Sequence, residues 1–182
     1  PLKIVEAGFG FKIGDPNQWR LKKALAGGGA MMDVGIYALQ ACRYLTGEEP
    51  VSVVALETKT DPVKFKEVDE SIAFTLQFKS GTAAICGTSY NTGFNRVRAN
   101  AENGWFELDP AYSYGGLAGR TSRGEAIKFA EIDQFAAEMD DFAQNIRAGK
   151  TSSVSGEEGL RDLKVIEAIY QSIASGKAVT IS

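Results

Sequence analysis

The chain has 182 residues, comfortable for one domain and tight for two. A net charge of -3 with no basic block leaves no footprint for nucleic acid, and no apolar run reaches the roughly 18 residues a membrane span needs. There is no histidine, and the two cysteines form no CxxC, so no metal is expected, no histidine-assisted nucleophile is available, and any acid or base must be Asp, Glu, Lys, Tyr or Cys.

The first residues, Pro-Leu-Lys-Ile-Val, read as the middle of a strand without an initiator methionine, which suggests a piece of something longer. Residues 2–7 are expected as a short strand and "GFGFKIGDPNQW" as a loop. Its glycines, Gly8, Gly10 and Gly14, are spaced GxGxxxG where a dinucleotide fingerprint needs GxGxxG. The residues that follow announce a turn, so no helix N-terminus is offered to a pyrophosphate. Residues 19–26 suit a short helix that stops at Gly27, Gly28 and Gly29. A helix over 30–45 follows, with Gly47 placed to end it. It is apolar on most sides, but Asp33, Tyr37, Gln40 and Tyr44 form one polar seam.

The period then changes to two. In "ESIAFTLQFKSG" Ile72, Phe74, Leu76 and Phe78 alternate with small and polar residues, the mark of a half-buried strand. Residues 51–58, 82–90 and 94–101 are also strand-like. Ser80-Gly81 and Asn103-Gly104 supply hairpin turns, with 105–108 closing the second hairpin. Residues 110–130 specify little, apart from a candidate strand at 126–130. Phe135, Met139, Phe142 and Ile146 then mark an amphipathic helix ending at Gly149. A last helix carries acidic residues in its first turn and Gly176 beyond its end, with Leu160, Leu163, Ile166, Ile169, Tyr170 and Ile173 expected toward the core. Cys42 and Cys86 lie in apolar stretches and are expected as buried free thiols. The order of elements predicts one α+β domain over 1–182, an open, predominantly antiparallel sheet with helices packed on one face.

The chemistry concentrates in "GGGAMMDVGIYALQACRYL", residues 27–45. Asp33 and Tyr37, at i and i+4, share a helical face. A carboxylate and a phenol together can hold a polyol by hydrogen bonds in both directions, or share a proton transfer. A phenol with its ordinary pKa near 10 is a poor base at neutral pH, so that role needs a neighbouring cation. The glycines would let backbone or ligand approach closely. A purely structural reading stands beside this one: Asp favours a helix N-terminus, and Tyr commonly packs at an apolar seam.

The same stretch, "GGGAMMDVGIYALQACRYLTGEEP", resembles the signature GGGxLMDxGxHxxxxxxxLxG in the C-terminal domain of the glucose–fructose oxidoreductase, inositol dehydrogenase and rhizopine-catabolism (Gfo/Idh/MocA) family. "GFGFKIGDPNQWRL" is similar to the segment leading into that signature. "GEEGLRDLKVIEAIYQSIASGKAV" is similar to the family's last helix, which reads close to "GEDGLRALEVIEAIYESAKSGKPV". Most members carry His where this chain has Tyr37; the glucose–fructose oxidoreductase branch carries Tyr and reads "MDIGIYGLNGTRYLLGEEP". The resemblance implies a fold like the C-terminal domain of glyceraldehyde-3-phosphate dehydrogenase. It also implies a preceding Rossmann domain, absent here, with GxGxxG and a Glu-Lys-Pro motif whose lysine sits at the nicotinamide. It further implies an NAD or NADP cofactor held mainly by that domain, and hydride transfer on a sugar or polyol. Asp33 and Tyr37 become catalytic, Trp19 and Arg20 substrate contacts, and Arg20 also a cofactor contact; Tyr90, at the end of a strand, is a further candidate for a substrate contact. Self-association through the open sheet face is expected, with no nucleic acid or membrane partner. Two alternatives stay open: a non-catalytic oligomerisation module and an NAD-dependent glycosidase. A cytoplasmic location is expected, or a periplasmic one should an export signal precede residue 1.

Overall fold

The computed structural model describes residues 1–181, and these form one sheet of nine strands: β1 (Leu2–Gly10), β2 (Pro50–Thr58), β3 (Ser71–Phe78), β4 (Ala83–Ser89), β5 (Phe94–Ala101), β6 (Gly104–Leu108), β7 (Ala118–Thr121), β8 (Ala126–Lys128) and β9 (Val179–Thr180). The order across the sheet is β8-β7-β6-β5-β1-β4-β3-β2-β9. Neighbours run antiparallel except β1 and β4, which pair in parallel from Ile4 opposite Ala83 to Gly10 opposite Ser89. The expected α+β class and open, mostly antiparallel sheet are what the chain forms.

Alternation decides which face is covered. Ile72, Phe74, Leu76 and Phe78 of β3 are buried, as are Val5 and Ala7 of β1, Val53 of β2, and Ala84 and Cys86 of β4. Burying each large side chain stabilises the fold by about 1.5–3 kcal/mol, so this face holds the sheet and helices together. The opposite face leaves Val54, Leu56 and Ile85 exposed.

A 3-10 turn at Trp19–Leu21 and the short α1 (Lys23–Ala26) lead into a π-helical turn at Met31–Gly35. This turn continues as α2 (Ile36–Thr46) and ends at Gly47 in the left-handed conformation. Ala38, Leu39 and Cys42 of α2 reach the core, as do Val165, Ile166, Ala168 and Ile169 of α4 (Gly156–Ser175). The thiols of Cys42 and Cys86 are free and buried, 3.5 Å apart. Burial pushes the Cys86 thiol well up.

The buried stripe of α4 is rotated from the one its leucines suggest. Leu160 and Leu163 are exposed, whereas Asp162 and Ser172 are buried with the apolar residues. Polar partners account for the rotation. Asp162 accepts from the buried Arg43 Nη1 (2.6 Å) and from Gln40 Nε2 (2.8 Å). Arg43 also meets Glu158 (2.8 Å) and Glu49 (2.7 Å). The hydrogen bond to Glu49, then burial acting the other way, then Glu158 and Asp162 set its pKa, which ends above its ordinary value. Ser172 Oγ accepts from Ala55 N (3.0 Å) and donates to the Lys177 carbonyl (2.7 Å), which fixes the far end of α4 against β2.

Two further expectations change. The strand at the start runs to Gly10, because Gly8 and Gly10 give Phe94 of β5 room to lie across them. A Cβ on Gly10 would stand 2.7 Å from the Thr92 carbonyl oxygen and 2.8 Å from that of Ser89. The amphipathic helix α3 (Gln134–Ala148) forms and is capped by Asp133, whose Oδ1 accepts from Phe135 N and Ala136 N. Its apolar face, however, does not enter the core: Phe135, Met139, Phe142 and Ile146 all stay exposed, and Phe135 meets the Tyr114 ring at 5.4 Å.

Candidate active site

The parallel pairing of β1 and β4 brings the C-terminal ends of both strands to one edge, and the π-turn that opens α2 lies against them. A second apolar cluster sits there, formed by Ile13, Leu21, Ala30, Val34, Phe65, Val68 and Tyr90. It fastens three loops to the start of the helix that carries Asp33 and Tyr37.

Asp33 lies inside the π-turn. A π-turn adds a residue to the helical circuit and frees backbone groups, and such turns concentrate at functional sites. Oδ2 of Asp33 accepts from Arg20 Nε (3.1 Å) and from the Tyr90 hydroxyl (2.9 Å). The Arg20 guanidinium lies over the Trp19 ring, 4.6 Å from its centre, and Trp19 is exposed. Trp19, Arg20, Asp33 and Tyr90 thus form one chain of contacts.

Tyr37 stands one turn on and is 44% exposed. Its ring meets Phe9 edge-on at 5.5 Å and Tyr112 at 5.9 Å, and those two rings meet each other at 5.3 Å. Partial burial, then the proximity of Tyr114 and Asp33, pushes the Tyr37 phenol above its ordinary value. Within this chain the phenol is therefore held protonated, and its use as a base requires a cation from elsewhere.

Tyr90 is placed differently from the expectation of a substrate contact. It is 1% exposed, its ring packs edge-on against Phe11 at 5.3 Å, and its hydroxyl is spent on Asp33. Burial first, then Asp33, raises its phenol strongly. Tyr90 holds Asp33 from beneath; it does not line the surface.

Of the three glycines, Gly29 is required by a close backbone approach. A Cβ on Gly29 would overlap the Asp69 carbonyl oxygen and stand 2.8 Å from Asp69 N. Backbone, not ligand, makes the close approach. The Asp69 side chain completes the contact: Oδ1 accepts from Gly29 N (2.7 Å) and from the Tyr170 hydroxyl (2.8 Å), and Oδ2 from Met31 N (2.8 Å). Sequence reasoning passed over Asp69, Phe9 and Tyr112. The signal for Asp69 was an acidic pair, Asp69-Glu70, set between apolar residues and a clear strand. Phe9 was hidden by the reading of its segment as a loop.

For a nicotinamide cofactor, the glycines at the start of the chain form no phosphate-binding turn. Gly8 and Gly10 lie inside β1 under Phe94, and Arg20 already engages Asp33 and Trp19.

Comparison with known proteins agrees with the fold. Residues 2–107 match the family model of the GFO/IDH/MocA C-terminal domain. A D-xylose 1-dehydrogenase [NADP(+)] of Haloarcula marismortui is 31% identical over 175 residues, 93% of this chain and 48% of that protein. D-xylose 1-dehydrogenase (NADP(+)) 2 of Haloferax volcanii is 30% identical over 97% of this chain and 55% of its own length. The crystal structure of an aldose-aldose oxidoreductase from Caulobacter crescentus, complexed with glycerol, superposes with a TM-score of 0.93 at 46% identity, covering all of this chain and 56% of that one. The chain thus spans about half the length of the curated relatives it matches. With signature, sheet and family match in accord, the chain belongs to the Gfo/Idh/MocA C-terminal domain family.

Proposed function

We propose that this chain is the sugar-binding part of an NAD(P)-dependent oxidoreductase, a single domain over 1–182 that works with a nucleotide-binding domain preceding it in a longer protein. The observation that carries this reading is the contrast within one helical turn: Asp33 is clamped by Arg20 and Tyr90, whereas Tyr37 beside it remains open. A fixed carboxylate orients a sugar by accepting from its hydroxyls, and a phenol within reach exchanges a proton with the reacting oxygen. Relatives named as NADP(+)-dependent D-xylose dehydrogenases, and a solved aldose-aldose oxidoreductase, support an aldose as substrate.

In this reading the nicotinamide, bound mainly by the preceding domain, supplies the hydride acceptor or donor. Tyr37 takes the proton of the sugar hydroxyl on oxidation and returns it on reduction. Its raised pKa calls for a cation, and the lysine implied by the resemblance meets that requirement. Trp19 and Arg20 stand beside Asp33, Trp19 offering an exposed ring to a sugar and Arg20 steadying Asp33.

In the full-length protein, with D-xylose or D-glucose and NADP+ or NAD+, Tyr37→Phe lowers kcat by about 10²- to 10⁴-fold, the scale of a lost general base. Cofactor affinity in that variant is unchanged. A wild-type kcat removes Tyr37 from the chemistry. The chain alone turns nothing over, since half a cleft cannot hold a hydride donor within the roughly 3–3.5 Å of a reactive geometry.

The exposed Val54, Leu56 and Ile85 favour a second, compatible role for the open sheet face in self-association. Light scattering that shows only monomer over a wide concentration range counts against it.

A further inference from the structure

The loop over 59–70 holds the start of the segment that presents Asp33 and Tyr37. Asp69 is 5% exposed, and each of its carboxylate oxygens accepts a backbone N–H of the glycine-rich turn, one from Gly29 and one from Met31. Its own carbonyl accepts from Ala30 N (3.2 Å). Three consecutive residues ahead of Asp33 are therefore fastened to a single side chain and its backbone. Asp33 N in turn donates to the Gly29 carbonyl (3.3 Å), so a shift of Gly29 is passed directly to Asp33.

The anchor is itself rigid. The Tyr170 hydroxyl ties Asp69 Oδ1 to α4 in the core. The next residue, Glu70, accepts from Thr60 N and Asp61 N (both 2.8 Å), Thr60 Oγ1 (2.6 Å) and Asn91 Nδ2 (3.0 Å). The Glu70 carbonyl accepts from Tyr90 N (2.8 Å), and Tyr90 holds Asp33 from below. Asp69 and Glu70 thus fix Asp33 by two independent routes, through the turn above it and through the tyrosine beneath it.

We propose that Asp69 is a positioning residue for the Asp33–Tyr37 pair, acting through the glycine turn that it caps. The inference rests on the functional reading above. A carboxylate is required because two diverging N–H donors need an acceptor at each oxygen. An amide presents one acceptor, and its NH2 group would face the other N–H.

The test uses the full-length enzyme with D-xylose and NADP+, or D-glucose should xylose be inert. Asp69→Asn lowers kcat by about 10- to 100-fold, the scale expected when reacting groups are misplaced by an ångström, and leaves KM for NADP+ within about 2-fold. In an Asp33→Ala background the same substitution costs less than about 2-fold, because the side chain it positions through the turn is already gone. A wild-type kcat for Asp69→Asn, or an equal loss in both backgrounds, overturns the inference. Should Asp69→Asn not fold, Tyr170→Phe decides: a kcat loss of about 3-fold that vanishes with Asp33→Ala supports positioning, and an unchanged kcat refutes it. Failure of the functional reading is seen separately, as full turnover by Tyr37→Phe alone.

Discussion

The glycine turn permits a test of the close approach with an internal control. In Gly29→Ala the new methyl would overlap the Asp69 carbonyl oxygen and lie 2.8 Å and 2.9 Å from Asp69 N and C, all backbone atoms that no rotamer change can clear. Turn and loop must separate, at the expense of the bonds Gly29 N to Oδ1 and Met31 N to Oδ2. Overpacking costs about 1–3 kcal/mol, and each hydrogen bond to a charged group about 1.5–3 kcal/mol. Loss of one such bond with the overpacking gives about 2.5–6 kcal/mol. For a chain of this size that lowers Tm by roughly 5–24 °C. Gly14→Ala is the control: nothing lies within 4 Å of its Cβ position and its φ is not positive. It is expected to be neutral or to stabilise by up to about 1 kcal/mol. Thermal unfolding followed by circular dichroism reads both. Equal Tm values for the two variants, or a Gly29→Ala loss below about 1 kcal/mol, would refute the steric argument.

Arg43→Met strands the buried Asp162 without its cation, and a pair broken on one side costs about 3–5 kcal/mol in a urea titration. A cost under about 1 kcal/mol would show that the cluster does not bind α2 to α4. Glu70 gives the pH dependence. Burial raises its carboxyl, but hydrogen bonds from Thr60, Asp61 and Asn91 outweigh burial and leave it lowered. Its stabilisation is complete above the unfolded value of about 4.3 and is lost as pH falls through the lower folded value. The advantage of the wild type over Glu70→Gln is therefore full near neutrality and shrinks in acid; a constant difference across that range contradicts the assignment.

What the sequence made legible follows from the kind of force involved. Strands with a clean period of two, such as 71–78, and their hairpin turns are local statements, and they appear within a residue or two of expectation. Asp33 and Tyr37 were legible because helical spacing is also local. The stripe of α4 was not, because Asp162 and Ser172 turn the helix toward partners on α2, β2 and its own C-terminal end that are far off in sequence or beyond the helix. Gly8 and Gly10 read as a loop because their reason, the Phe94 ring, comes 84 or more residues later. The short strands β7 and β9 carry too few residues to show a period. Tyr90 was assigned by its place at a strand end, which says nothing of how deep it lies.

The strand that comes first in the chain lies fifth across the sheet, between β5 and β4. Hairpins on either side can assemble from neighbouring residues, but β1 finds its partners only among residues 83–101. Closing so long a loop is slow, and until it closes the two half-sheets expose open edges to other chains. Insertion of β1 thus joins two half-sheets into one, and it covers the edges of β4 and β5 that would otherwise stand open.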